Sequence, residues 1–338
     1  MSNKLLIMPY YGKFPNYFQL WLESIKKNPE LELLLVTDAN LDNYNMDAPN
    51  IHIMTKSIDQ LKQMIEMVTG SKINLNKGYK IKDYFPLYGE IFSEYITDGS
   101  YDWWGSIDAD VILGNVNSFL RDEDLSSVDR IFGNGHFSLY RNTKKMNRLW
   151  RNPKLNSYFD IVPFIYTQRF NKNTAFDEYG WNWGKGISTF MEREGYRINN
   201  DFPRADLDFN FSGFKSQYIN INSKNIDENT ADFIEVTNDG IFVTDKLGIQ
   251  HEVMYVHLQK RQMQIDSELD SESKAFDIYP NIFVPRKKIV PKDEIDKMSA
   301  DFEKQRQQRI SKTKIHNLLS DYIVLRTLMM FRKFKSRF

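Results

Sequence analysis

The sequence contains no cysteine, which excludes disulfide scaffolds, thiolate metal sites and a cysteine nucleophile and suits a reducing, intracellular setting. It has no excess of either charge. Lys plus Arg and Asp plus Glu both total 45, so bulk attraction to nucleic acid is not expected and any anion site must be local. No apolar run approaches the roughly 18 residues needed to span a bilayer. Residues Met1 to Met8 also lack the long apolar core and small-residue cleavage site of a signal peptide. A cytoplasmic protein, or one peripheral to the inner face of the cell membrane, is expected. There is no Gly-x-x-x-x-Gly-Lys-Ser/Thr phosphate loop and no Gly-x-Ser-x-Gly elbow, which argues against an ATPase or an esterase. Internal repeats and long Gly/Ser linkers are also missing.

What is present is a chain of 338 residues, 41% hydrophobic and 27% charged, enough for a full-sized α/β core. Aromatic residues reach 14%, and such side chains either fill a core or line sugar and base pockets. Leu5 to Pro9, Leu31 to Thr37 and Ile51 to Met54 read as buried strands. Helical spacing over 14–27 and over 57–69, with Ser57 as a cap, completes an α/β pattern of doubly wound type. Ligands in such sheets sit at the carboxyl ends of strands, which places Tyr10, Tyr11 and Asp38 on one rim. A further helix is expected over 83–97, starting near Pro86. Residues 1–125 and 126–290 read as two halves of one fused body, and 291–338 as a helical tail.

The strongest signal is Trp103-Trp104-Gly105-Ser106-Ile107-Asp108-Ala109-Asp110. An apolar strand that stops in two carboxylates two residues apart can present both to one side. Hard divalent cations such as Mg²⁺ or Mn²⁺ take one or two such carboxylates plus substrate phosphates. The competing reading is a solvated strand-to-loop turn.

With Lys82-Asp83-Tyr84-Phe85-Pro86-Leu87-Tyr88-Gly89 upstream, the chain resembles GT-A-type bacterial capsule and cell-surface polysaccharide glycosyltransferases, over about residues 4–262. These read roughly K-x-x-D-x-x-P-x-x-G, then D-x-W-G-x-x-D-x-D. The resemblance implies a GT-A-like (Rossmann-like) mixed sheet flanked by helices. It also implies sugar transfer from a nucleoside diphosphate sugar, with a uridine diphosphate hexose the first guess. Asp108 would face the ribose or the cation and Asp110 would bind Mn²⁺ or Mg²⁺, with Asp83 on the donor side. In Tyr255-Val256-His257-Leu258-Gln259-Lys260-Arg261, His257 ends a strand and is a reasonable third metal ligand, a role the resemblance shares. Lys260 and Arg261 can neutralise the leaving diphosphate, Lys260 also in the chemical step. An ordinary strand-end histidine and a solvated arginine are the alternatives.

Two stretches read as acceptor-side equipment. Gly133 to Asn142 offers His136, Tyr140, Arg141 and Asn142, the donors that sugar hydroxyls require, and similar transferases carry a G-H-x-x-L-Y-R-N run there. Phe176 to Gly186 combines Asp177 and Glu178, either a candidate general base, with Trp181 and Trp183, whose faces can stack on sugar rings. A structural aromatic corner is the alternative for each. From Ile315 onward apolar residues alternate with Arg326, Arg332, Lys333, Lys335 and Arg337, a pattern that suits an anionic membrane surface or a helix packed on its own domain. The expected partners are a nucleoside diphosphate sugar, a saccharide acceptor (lipid-linked if the tail docks on a membrane) and no nucleic acid. A non-catalytic carbohydrate-binding protein and a nucleotide-sugar phosphohydrolase are the competing functions.

Overall fold

The computed structural model describes residues 3–98, 100–121, 125–181, 184–207, 216–218, 233–244, 248–259, 263–279, 281–318 and 321–336. Its centre is a mixed seven-stranded sheet flanked by helices. Lys4–Pro9 runs parallel to Leu31–Thr37 on one side and to Trp103–Ile107 on the other, and Ile51–Thr55 extends the parallel part. Phe137–Arg141 then pairs antiparallel with Trp103–Ile107, and Arg130–Ile131 and Ile198–Asn199 close that edge. The sheet therefore crosses the 125/126 position.

Side-chain alternation sorts the strands into two cores. Leu6, Met8, Leu33, Leu35 and Trp103 face one side, where Phe18, Trp21 and Leu22 of helix Phe18–Lys26 cover them. Leu5, Ile7, Leu34, Val36 and Trp104 face the other, packed against Leu61, Ile65, Tyr88 and Phe92. Burial on both faces explains why these strands read as unbroken apolar runs. Helix Ile58–Thr69 begins as expected at Ser57. The Ser57 hydroxyl accepts from the Gln60 N–H at 3.2 Å, and the Gln60 side chain accepts from the Ser57 N–H at 2.9 Å.

One expectation needs correction. The helix over 83–97 is instead a 3₁₀ run, Gly78–Leu87, followed by the short helices Tyr88–Ile91 and Ser93–Asp98. Pro86 sits inside the 3₁₀ run rather than at a helix start, because its missing N–H cannot continue an α-helical ladder. The chain before residue 290 adds a further sheet. Phe276–Tyr279 and Ile282–Pro285 form a hairpin in a six-stranded sheet, and Ile278 and Phe283 are fully buried in the larger core.

A four-stranded sheet assembles the site. Tyr255–His257 lies between Val111–Leu113, antiparallel, and Ala205–Leu207, parallel. The register sets His257 opposite Val111 and Asp206.

Candidate metal centre and flanking clefts

The strand Trp103–Ile107 can approach Phe137–Arg141 only because residue 105 is glycine; a Cβ there would stand 1.8 Å from the Ser138 carbonyl oxygen. It ends at Asp108, whose N–H donates to the His136 carbonyl at 2.8 Å and whose carbonyl accepts from Trp21 Nε1 at 3.2 Å and from the Val111 N–H at 3.2 Å. That turn starts Val111–Leu113, and the Leu258 N–H donates to the Asp110 carbonyl at 2.8 Å, zipping His257 to the acidic turn. Residues about 150 positions apart in sequence thus meet through strand register.

Asp108, Asp110 and His257 each offer a ligand atom, all within 4.8 Å of one another. His257 Nε2 faces Asp110 Oδ2 at 3.6 Å, beyond hydrogen-bonding range, and Nδ1 stands 3.3 Å from Asp206 Oδ1 without making a hydrogen bond. Two carboxylates and one imidazole converging on a gap are a donor set that fits a divalent cation such as Mn²⁺. Burial disfavours charge on His257, but the Asp110 and Asp206 carboxylates outweigh it and hold the imidazolium pKa up at about 10. His136 lies stacked on His257 with ring centroids 4.0 Å apart, and burial first, then the His257 charge, keeps its pKa well below the usual histidine value. Its Nε2 is 2.8 Å from the Tyr255 hydroxyl.

Two clefts meet at this set. The first, about 450 Å³, is lined by Tyr10, Tyr11, Lys13, Tyr17 and Phe85 together with Asp108 and Asp110. The second, about 310 Å³, is lined by His136, Asp177, Glu178, Trp181, Asp206 and His257. Tyr79, Lys82 and Asp108 line both. Lys82 ion-pairs with Asp108, and its ammonium lies 5.2 Å from the Tyr79 ring centroid. The sequence reading quoted Lys82 beside Asp83 but gave it no role, because its partner Asp108 lies far along the chain. Asp206 went unread because a three-residue strand leaves no periodicity.

Asp177 and Glu178 enter the second cleft from a segment fixed behind by Arg130. This fully buried side chain donates to the Asp177 carbonyl at 2.9 Å and to Ser188 and Ser138, and its guanidinium lies over Tyr140. Burial, then the Glu178 charge, raises the Asp177 pKa well above the ordinary carboxylate range. Burial also raises Glu178, against the pull of the Gly135 N–H that it accepts at 3.1 Å. Gly135 has no room for a side chain, since a Cβ would lie 2.3 Å from Asp177 Oδ2.

Other expected site residues lie elsewhere. Asp83 is fully buried, paired with Lys80 at 2.7 Å and accepting from the Thr174 and Phe176 N–H groups at 2.7 and 2.9 Å. It anchors the segment behind Asp177 rather than lining either cleft. Tyr140 is stacked on Trp104 at 4.7 Å, and Arg141 donates to the carbonyls of Val128 and Leu125 beneath the Trp103 ring. Asn142 bonds the Tyr101 carbonyl at 2.7 Å and Asn147 at 2.8 Å. Tyr140 and Arg141 are engaged inside the molecule because their strand is an interior one, and Asn142 follows directly after it. Asp38 is exposed and lines neither cleft, and its charge adds to the burial that raises the Tyr11 phenol. Trp183, Lys260 and Arg261 lie outside the described residues.

No curated protein matches the chain. Among solved structures it is similar to the crystal structure of a glycosyltransferase involved in the glycosylation of the major capsid of PBCV-1, at 9% identity and a TM-score of 0.30 over 60% of this chain and 85% of that one. A family model described as a family of unknown function (DUF6625) matches residues 6–287, and the chain belongs to that family.

Proposed function

We propose that the protein is a metal-dependent glycosyltransferase of GT-A type, moving a hexose from a nucleoside diphosphate sugar, uridine diphosphate first, to a saccharide acceptor of a surface polysaccharide such as a capsule. One observation carries this reading: the Asp108, Asp110 and His257 donor atoms stand where two separate clefts share a wall. A transfer reaction needs two substrates to meet at one charged centre; a carbohydrate-binding protein needs neither the second cleft nor the donor set.

The first cleft would take the nucleotide, with Tyr10, Tyr11 and Tyr79 offering ring faces to the base and Lys13 a cation to phosphate. Asp108, Asp110 and His257 would hold Mn²⁺ or Mg²⁺, which when bound offsets charge on the departing diphosphate. Lys82, at the junction, is the described residue best placed to take phosphate oxygens once Asp108 turns to the cation. In the second cleft Trp181 would stack on the acceptor and either Asp177 or Glu178 would accept its hydroxyl proton. Burial raises both pKa values, which makes either carboxylate a stronger base than an exposed one.

The test is to follow a uridine diphosphate hexose with Mn²⁺, with and without saccharide acceptors. A glycosylated product that requires the acceptor supports the proposal. Release of free sugar in water alone favours a phosphohydrolase, and absence of nucleotide binding favours a carbohydrate-binding protein.

A further inference from the structure

The C-terminal helix Asp321–Lys335 carries two apolar stripes on opposite sides. The inner one is used within the molecule. Leu325, 1% exposed, packs on Phe170 with Tyr166 and Leu328 beside it. Arg332 donates to the Ile161 carbonyl at 2.8 Å and to those of Asn156 and Tyr158 at 3.1 Å. Met329 reaches strand Gly184–Lys185, its Cε only 2.7 Å from where a Gly184 Cβ would be. That strand pairs with Gly180–Trp181, and Trp181 lines the second cleft. The steps of three and four between residues 325, 328, 329 and 332 place them on one face.

The outer face carries Ile323 and Met330, two turns apart with Thr327 between them, and at about 100° per residue it lies roughly opposite Leu325. Ile323 and Met330 are 51% and 58% exposed, and Phe331 beside them is 62% exposed. Exposed Arg326 and Lys333 border the stripe on one side and exposed Lys335 on the other. From Tyr322 to Phe338 the sequence has no acidic residue.

We propose that this outer face docks on an anionic lipid bilayer and so holds the second cleft beside an acceptor carried in the membrane. Charge selects the occupant. Two-fold pairing with a second copy would set Arg326, Lys333 and Lys335 against the same residues of the partner, whereas anionic headgroups complement them and the apolar stripe inserts. The inner stripe supplies the link to the site, because the helix that would touch lipid is packed against the strand pair that presents Trp181. The membrane-borne acceptor rests on the glycosyltransferase reading; the docking itself does not.

The experiment is co-sedimentation of the full chain with phosphatidylcholine vesicles, plain or containing phosphatidylglycerol, at low and high salt. Partition at least roughly tenfold stronger onto the anionic vesicles, and screened by salt, is expected. A combined Ile323→Ser, Met330→Ser and Phe331→Ser variant, and separately Arg326→Glu with Lys333→Glu, should each lose that partition. Both leave Leu325, Met329 and Arg332 in place, so circular dichroism and uridine diphosphate binding should not change. Equal binding to plain vesicles, undiminished binding by either variant, or a wild-type dimer that the variants dissociate would overturn the proposal. Vesicle binding by a chain without nucleotide affinity would support docking while removing the transferase reading.

Discussion

Lys82 and Asp108 pair with each other, so Lys82→Met should move two affinities in opposite directions. Releasing Asp108 from its ammonium partner should tighten binding of Mn²⁺ alone several-fold, while the lost cation should weaken uridine diphosphate binding in Mn²⁺ roughly tenfold. Calorimetric titration reads both, and a Lys82→Met protein that shifts both the same way contradicts the assignment. His257 supplies a second residue-scale expectation. With its pKa at about 10, the imidazolium must lose a proton before its nitrogen can ligate, so proton and cation compete. Mn²⁺ affinity should therefore rise with pH up to that value, by close to tenfold per unit, and His257→Gln should flatten the profile. The Asp-x-Asp pair and His257 were legible because an apolar strand ending in ligand-type residues is a local pattern. Lys82 was not, since its role depends on a partner 26 residues away.

At the scale of elements, register makes the site: Asp110, His257 and Asp206 meet because three short strands align. The long apolar strands and the capped helix at Ser57 were readable from periodicity and capping chemistry. The hairpin of Phe276–Tyr279 and Ile282–Pro285 was hidden by its polar surroundings, and the engagement of Tyr140 and Arg141 inside the molecule depends on neighbours that only the sheet reveals. The tail helix packs through Leu325, Met329 and Arg332, so removing residues 319–338 should leave the main sheet folded but free the paired strands Gly180–Trp181 and Gly184–Lys185. Hydrogen exchange should show lost protection confined to about residues 156–186, with nucleotide binding retained. Protection unchanged there would mean that the helix contributes nothing to these strands.

For the molecule as a whole, two clefts of about 450 and 310 Å³ open on either side of one acidic turn, and the proposed transfer would require that turn to hold a cation. Asp110 is the residue on which to ask, being 7% exposed and facing His257, while its carbonyl rather than its carboxylate takes the hydrogen bond from the Leu258 N–H. Asp110→Asn should keep the fold, with Tm within a few degrees of the parent. The direct measurement is calorimetric titration of uridine diphosphate into the full chain with Mn²⁺, into the same protein in EDTA, and into Asp110→Asn with Mn²⁺. Binding in the first case and at least about tenfold weaker binding in the other two is the predicted result. Equal affinity in all three, in proteins shown to be folded, would contradict a metal-dependent nucleotide site.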